Sequence, residues 1–306
     1  MMKKAEILDK IELRQSTVKD FLMCPLMFKY RHIDKLKPSS RHPAALHGSA
    51  LHAVIYMMHM EGWYLDFEKM YEKSFHHYEF DKPGEAHIPV YWRGDRKHEL
   101  ELFTRNAVEI LAGYQSFSEN RNAIALFSEC PFRVNIGGYR FTGTIDQVRK
   151  HPNGKIELLD FKSSKQRPHP ASLQNDWQLN LYTYALRFGE IEVDGQWVRP
   201  SILADSSNIY FLRAHEIRKR TTVNGKAGDE KGDPMLRTRK SLQDLRHFRK
   251  ETLALLKVML KDWHFPNTNG CLICSFKEQC LSRQTSVSTS LTSKAQSRLR
   301  ELELAN

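Results

Sequence analysis

The sequence lacks any hydrophobic run long enough to cross a membrane. Apolar stretches such as Val54–Met58 and Leu253–Leu256 are far shorter than the roughly 20 residues that span a bilayer as a helix. The first residues, MMKKAEILDKIELRQS, contain neither a continuous apolar core nor a small-residue cleavage site, so they do not read as a secretory signal. We therefore expect a cytoplasmic protein with no membrane partner.

Cysteine is scarce, with five residues in a chain of 306. An odd number in a cytosolic protein argues against a disulfide framework. Three thiols nevertheless fall within the run C-L-I-C-S-F-K-E-Q-C, as Cys271, Cys274 and Cys280, and that density indicates a metal ion or a cluster. We expect Cys130, which lies far from this run, to be a small buried apolar residue.

Acidic residues are outnumbered, 36 against 47 lysines and arginines, which leaves a net charge of +11. This balance suits a polyanion such as nucleic acid, because basic side chains displace its condensed counterions. A generally basic soluble protein has the same balance. Basic residues crowd between Arg213 and Lys250 and are interrupted by glycines, which predicts a mobile basic loop that leads into a helix and clamps a strand.

Helical and strand periodicities alternate along the chain and predict an α/β protein. There is no internal repeat. We predict one domain over residues 1–284 and a flexible Ser/Thr-rich tail over 285–306. The predicted helices cover residues 16–34 with a break at Pro25, 48–62, 64–80, 95–120, 174–188 and 241–262; the predicted strands cover 125–149 with a turn at Gly137-Gly138, 155–162 and 207–213.

Two acids and a lysine form the most informative chemical pattern. Asp160 and Lys162 are two apart on a predicted strand, so their side chains share one face. Asp146 lies on the preceding strand, and whether it meets Asp160 depends on the turn between the strands. Oxygen ligands of this kind bind Mg²⁺ or Mn²⁺, and a lysine beside the ion can orient a water or stabilise a phosphate.

The turn has two possible registers. A two-residue turn at Asn153-Gly154 would place Asp146 opposite Phe161, on the wrong face. A three-residue loop over Pro152, Asn153 and Gly154 would place Asp146 opposite Asp160, and these residue types favour it because Gly154 suits a left-handed position. An ordinary surface hairpin with an Asp–Lys pair is the competing interpretation of the same residues.

Further short motifs follow one another in a telling order. They are S-T-V-K-D-F-L-M-C-P at 16–25, H-G-S-A-L-H at 47–52, Glu129 before G-T-I-D at 143–146, L-D-F-K-S-S at 159–164, Q-L-N-L-Y at 178–182, and the cysteine run. With these motifs, residues 16–282 resemble the RecB-like branch of the PD-(D/E)xK nucleases. The similarity is greatest to its iron–sulfur members, the CRISPR-adaptation exonucleases and the AddB nuclease domain.

The resemblance implies a restriction-endonuclease-like core, which is a central mixed β-sheet flanked by helices, with a helical insertion and a C-terminal cysteine cluster. It implies catalytic roles for Asp146, Asp160 and Lys162, and it implies His52 and the Phe161 backbone carbonyl as further metal ligands beside the two aspartates. Glu129 is a possible additional acid.

The resemblance also assigns residues outside the metal centre. Gln178 and Tyr182 would contact DNA, and the thiolates of Cys24, Cys271, Cys274 and Cys280 would hold a 4Fe–4S cluster. Spacing alone does not separate such a cluster from zinc. Either would join distant parts of the chain, a staple that loop-closure reasoning values at about 4–5 kcal/mol.

The sequence-based prediction is a metal-dependent DNA nuclease, an exonuclease on single strands or DNA ends that acts in recombination, repair or mobile-element processing. Trp177, Tyr182, Tyr210 and Phe211 are candidates for stacking on unpaired bases. Two alternatives remain open. One is a non-catalytic DNA-binding subunit that works with a helicase, and the other is a zinc-stabilised interaction protein.

Overall fold

The computed structural model of the protein describes residues 4–62, 66–83, 88–164, 167, 169–213, 218–223, 226–231, 233–261, 264–268, 271 and 274–281. The chain forms two compact units. The smaller comprises residues 1–11, 16–40 and 259–306, and the larger comprises residues 12–15 and 41–258. No helix in the described part of the chain has the length and apolar character needed to cross a membrane.

A mixed seven-stranded sheet, in the order β5-β4-β1-β2-β3-β6-β9, organises the larger unit. Its strands are β1 (Ile124–Ile136), β2 (Tyr139–Lys150), β3 (Ile156–Lys162), β4 (Glu190–Val193), β5 (Gln196–Val198), β6 (Ser206–Phe211) and β9 (Met235–Thr238). Among the described strands of this sheet, only β3 and β6 pair in parallel, and the chain between them includes a helix, as is usual for a parallel pair. The predicted mixed sheet flanked by helices is confirmed.

The hairpin between β2 and β3 has the predicted three-residue loop. Gln147 pairs with Leu159 and Lys150 with Ile156, so paired residue numbers add to 306. Gly154 closes the loop with a φ of 80°, a left-handed conformation that glycine adopts without steric cost. The same register, continued by one pair, sets Asp146 opposite Asp160.

Helices α4 (Pro43–Glu61), α5 (Phe67–His76) and α6 (Arg96–Glu119) build an aromatic-rich core with β3 and β6. Its members include Tyr71, Tyr114, Phe161 and Tyr210, all at most 2% exposed. The helix predicted over 48–62 starts earlier than expected, because α4 begins at Pro43. Proline is well suited to the first helical position, where its missing N–H would have no partner.

Later in the chain, α7 (Trp177–Phe188) follows a 3₁₀ helix at Pro170–Asn175, and α8 (Leu242–Met259) follows β9. Lys240, which is 1% exposed, donates a 2.7 Å hydrogen bond to the carbonyl of Leu173 and a 2.5 Å bond to that of Gln174. This lysine therefore secures the turn that leads into α7.

The basic segment after residue 213 is not the predicted loop. Strands β7 (Arg218–Val223) and β8 (Lys226–Lys231) pair as an antiparallel hairpin. Val223 pairs with Lys226 on either side of Asn224-Gly225, a dipeptide that is the strongest short hairpin signal. The sequence prediction gave too much weight to the glycines as breakers.

In the smaller unit, α1 (Lys4–Lys10) is followed by α2 (Gln15–Met23), whose first residue belongs to the larger unit. The chain continues in α3 (Pro25–Phe28) and in a π-helix at Lys29–Ile33. Cys24 is extended, with a φ of −160°, so the predicted break at Pro25 is confirmed. The predicted tail over 285–306 lies outside the described residues.

Candidate active site

Helix α4 carries His52 to the end of β3 by a close approach at Gly48. A Cβ on Gly48 would lie 3.0 Å from Oγ of Ser163, so with any larger residue there the Ser163 side chain would have to shift by a few tenths of an ångström. Four residues later, on the same helix face, the His52 ring contacts Phe161 edge-on, with centroids 5.9 Å apart. This spacing explains why the glycine and the histidine occur together in the sequence.

Glu129 on β1 reaches His52 from the neighbouring strand. Its Oε1 lies 2.9 Å from Nδ1 of His52. The backbone of Glu129 has a φ of 45°, which costs an L-residue roughly 1–2 kcal/mol. Strain of this kind concentrates at functional sites, where the surrounding structure enforces it.

Asp146 on β2 lies between these groups and β3. Its Oδ2 accepts a 2.7 Å hydrogen bond from the N–H of Phe161 and is 3.8 Å from Nδ1 of His52. The carboxylate is 6% exposed. This hydrogen bond holds the Asp146 carboxylate of β2 next to the end of β3.

Asp160 and Lys162 form a close ion pair on β3. Nζ of Lys162 donates a 3.0 Å hydrogen bond to Oδ1 of Asp160 and lies 2.7 Å from Oδ2. Oδ2 is buried and accepts no hydrogen bond of good geometry. A buried carboxylate oxygen without a donor is a suitable ligand for a cation.

Gln178 and Tyr182, one turn apart on α7, continue this chain of contacts. The ammonium of Lys162 donates to Oε1 of Gln178 at 2.8 Å, and Nε2 of Gln178 donates to the hydroxyl of Tyr182 at 2.8 Å. Tyr182 is 6% exposed. Both residues are therefore linked to the Asp160–Lys162 pair through the lysine. Their contact with DNA, which the sequence predicted, stays a prediction.

The net effect of burial and neighbouring charges is to raise the pKa of both an acid and the histidine of the site. Burial and the neighbouring Asp146 carboxylate raise the pKa of Asp160 to about 7. Burial lowers the pKa of His52, but the carboxylates of Asp146 and Glu129 outweigh it and raise that pKa to about 9. The site therefore concentrates negative charge that only protons or a cation can neutralise.

The donor atoms of three residues suit a divalent metal ion. One ligand atom from each of His52, Glu129 and Asp146 lies within 4.8 Å of the others. Asp160, which pairs with Lys162, is not part of this group. The carboxylate oxygens of this set can bind either Mg²⁺ or Mn²⁺, whereas the imidazole nitrogen is a better ligand for Mn²⁺ than for Mg²⁺.

Three of the aromatic residues predicted to stack on bases are not accessible. Tyr210 and Phe211 are 1% exposed, and Tyr182 is 6% exposed. Trp177 is half-buried between Phe141 and Phe248. Their periodic spacing reflects core packing, which places aromatic rings at the same positions as a stacking surface would.

Sequence reasoning overlooked Asp176. Its Oδ1 caps the start of α7 by accepting a 2.8 Å hydrogen bond from the N–H of Leu179. The same charge contributes to raising the pKa of Asp160 and of Lys162. An acid directly before a predicted helix is a capping signal, and only its position after the catalytic strand links it to the site.

The cysteines lie in the smaller unit and line one cavity of about 330 Å³. Its other walls are mainly apolar and include Leu26, Met27, Tyr30 and Phe276. The backbone N–H of Asn267 donates to Sγ of Cys24 at 3.3 Å. The four cysteines at this cavity, Cys24, Cys271, Cys274 and Cys280, are free thiols. Cys130 lies elsewhere and is 5% exposed, as predicted.

Comparisons with known proteins give one family match and two distant structural neighbours. A model of the PD-(D/E)XK nuclease superfamily matches residues 12–281. The crystal structure of SSO0001 is 13% identical and covers 86% of this chain and 92% of its own, with a TM-score of 0.29. A protein from Eubacterium rectale, described as a candidate exonuclease, is 12% identical over 90% of both chains, with a TM-score of 0.46. No curated protein matches significantly.

Proposed function

This chain belongs to the PD-(D/E)XK nuclease superfamily, and on that premise we propose that it is a metal-dependent deoxyribonuclease. We infer that it acts as an exonuclease on single strands or DNA ends in recombination, repair or mobile-element processing. The observation that carries this proposal is the meeting of His52, Glu129 and Asp146 beside the Asp160–Lys162 pair.

His52, Glu129 and Asp146 would hold the ion, with Asp160 and the Phe161 carbonyl as further oxygen ligands. A bound Mg²⁺ or Mn²⁺ supplies Lewis acidity toward a phosphodiester and a more acidic water. His52, positively charged when no ion is present, gives up its proton to become a ligand, since only neutral imidazole coordinates.

Lys162 provides a positive charge from the protein in addition to that of the metal ion. Its ammonium, held between Asp160 and Gln178, stands where it can orient a water or neutralise charge that develops on the phosphate oxygens. Holding this group in place beforehand matters, because preorganised donors cost no reorganisation during the reaction.

The direct test measures cleavage of end-labelled single- and double-stranded DNA with Mg²⁺ or Mn²⁺. We expect native protein to cleave and Asp160→Asn and Lys162→Ala to lose at least about 100-fold, by analogy with loss of one transition-state donor. Matched controls are Asp194→Asn and Lys155→Ala, which change the same charges at exposed turns and should leave cleavage unchanged. Equal cleavage by all five proteins refutes the assignment.

Two further substrates separate the finer parts of the proposal. Covalently closed circular single strands should resist digestion if free ends are required, and an RNA strand of the same sequence reports the sugar preference. DNA binding without cleavage by native protein would instead favour the accessory-subunit alternative.

We also propose that Cys24, Cys271, Cys274 and Cys280 bind a 4Fe–4S cluster. Their shared cavity of about 330 Å³ supports a group larger than a single ion. The amide of Asn267 near Sγ of Cys24 is the kind of donor that tunes sulfur ligands.

Purification without oxygen tests this second proposal. We expect a brown protein with about four irons and four sulfides per chain, lost in Cys24→Ser, while Cys130→Ser keeps the full complement. One zinc and no sulfide per chain would refute the cluster and favour a zinc site.

A further inference from the structure

A basic and aromatic cavity lies at the same end of the sheet as the candidate active site. It has a volume of about 290 Å³ and is lined by β1, β2, the end of α7 and the β4–β5 hairpin. That size is close to the smallest cavities that hold small ligands, which suits one nucleotide unit. Its charged lining residues are Arg133, Arg140, Arg199 and Glu190.

The charges in the cavity do not cancel. Arg133 and Arg199 both donate through Nε to Glu190, at 2.6 and 3.1 Å. Arg140 is exposed and forms no ion pair with any residue that the structure describes. Three guanidinium groups against one carboxylate leave an excess of positive charge, which attracts phosphate.

Phe188 lines this cavity, and Trp197 lies beside it against Arg133; both rings are exposed, unlike the buried rings near Asp160 and Lys162. Phe188 is 51% exposed at the end of α7, and Trp197 is 38% exposed on β5. The guanidinium of Arg133 lies 4.3 Å from the Trp197 ring centroid, which keeps that ring in place. Exposed rings beside basic groups are the combination that binds unpaired nucleotides.

The sheet register sets the distance between this cavity and the catalytic lysine. Thr144 pairs with Pro131 on β1, and the β2–β3 register, continued past Gln147–Leu159, sets Thr144 opposite Lys162. Arg133 lies two residues beyond this level and two strands away, about 12 Å from Lys162.

Helix α7 gives a second measure of the same separation. Phe188 at the cavity is ten positions after Gln178, which contacts Lys162. At 1.5 Å per residue they span about 15 Å. For a strand that keeps the 3.4 Å rise per nucleotide of duplex DNA, both distances correspond to about four nucleotides.

We propose that this cavity holds a single strand of nucleic acid about four nucleotides from the scissile phosphate. Arg140 contacts the phosphate backbone, and Phe188 stacks on an unpaired base. The inference rests on the proposed nuclease function and adds to it the preference for an unpaired strand. It also predicts that a long strand is held better than a short one.

Binding of a labelled 20-nucleotide single strand in EDTA, measured over a range of salt concentrations, tests the proposal. Arg140→Ala should reduce the slope of log K against log salt by about 0.7, the value of one phosphate contact on a single strand. Phe188→Ala should weaken binding by roughly 5- to 150-fold, as expected for one stacked base, with an unchanged slope.

Controls and a short substrate make the result specific. Arg239→Ala and Tyr91→Ala remove an exposed arginine and an exposed ring elsewhere and should bind as native protein does. Cleavage of the p-nitrophenyl ester of thymidine monophosphate, too short to reach the cavity, should be unchanged in Arg140→Ala and Phe188→Ala.

The outcomes separate the two proposals. Native affinity and slope in both variants overturn the cavity assignment, as does native protein that cleaves only double strands and does not bind single ones. A native chain that cleaves nothing, yet binds single strands with the slope change at Arg140, overturns the nuclease proposal and leaves the cavity assignment standing.

Discussion

The contact between Gln178 and Lys162 makes a prediction that distinguishes positioning from substrate binding. Oε1 of Gln178 accepts the lysine ammonium at 2.8 Å, and Tyr182 in turn holds the amide of Gln178 at 2.8 Å. In Gln178→Leu the lysine keeps Asp160 as its partner but loses the acceptor on its other side. The ammonium is then free to turn away from the place where the phosphate binds.

The size of the effect follows from the kind of bond that is lost. A hydrogen bond to a charged group contributes about 1.5–3 kcal/mol. The lysine side chain is 33% exposed, so water replaces part of this interaction and the lower half of the range applies. At 1.36 kcal/mol per tenfold in rate, kcat in Gln178→Leu should fall by about 13- to 45-fold.

Tyr182→Phe should have a smaller effect, because it removes a neutral partner one step further from the lysine. A neutral hydrogen bond contributes about 1 kcal/mol, so a loss of about fivefold in kcat is expected. The order of the two effects, glutamine before tyrosine, is a consequence of the chain of contacts.

Steady-state cleavage of a labelled single strand at saturating Mn²⁺ provides the assay. KM should change by less than about twofold in both variants, because neither residue contacts the strand in this interpretation. Gln243→Leu, at an exposed glutamine on α8, is the control. A rise in KM with unchanged kcat would refute positioning of the lysine and support direct contact of Gln178 with DNA.

Three further predictions concern the packing, strain and charge of the site. Gly48→Ala should lower cleavage several-fold, because its Cβ would meet Oγ of Ser163 at 3.0 Å; the double variant with Ser163→Ala should restore it, and failure of that rescue would exclude this contact as the cause. Glu129→Gly should raise the free energy of unfolding by up to about 1 kcal/mol, because glycine adopts the positive φ without strain. The same variant should bind Mn²⁺ more weakly in calorimetry. Glu129→Gln should weaken Mn²⁺ binding without that gain, so equal stability of the two variants would contradict the strain. In EDTA, the pKa of Asp160 is about 7 in the folded protein and about 3.9 in the unfolded chain. The protonated Asp160 carboxyl therefore stabilises the fold fully below pH 3.9, and this stabilisation is lost as the pH rises through 7. Denaturant unfolding between pH 4 and 8 should therefore show falling stability that Asp160→Asn flattens, and parallel curves for the two proteins would count against the shift.

The sequence alone determines the features of the site that depend on short-range geometry. The alternation of side chains along a strand puts Asp160 and Lys162 on one face, and the residue types of the Pro152–Gly154 loop select the register that brings Asp146 opposite Asp160. Left-handed backbone at a glycine and the two-residue period of a strand are local properties. The prediction of the hairpin therefore needed no knowledge of the rest of the fold.

Tertiary structure decides which distant groups join that hairpin. His52 and Glu129 are 77 residues apart in the chain and lie 2.9 Å apart in space. Their contact depends on how closely α4 packs at Gly48 and on the left-handed backbone at Glu129. Packing of whole elements, which no local pattern encodes, also turned Gln178 toward Lys162.

The same reason explains the aromatic residues. Tyr210 and Phe188 both belong to periodic runs, yet one is 1% exposed and the other 51%. Periodicity identifies the face of an element, whereas the neighbouring elements determine whether that face is covered. The sequence by itself predicted the fold class and the hairpin that carries Asp146, Asp160 and Lys162. Only the packing of helices against the sheet decided what surrounds that hairpin and which rings remain open to a ligand.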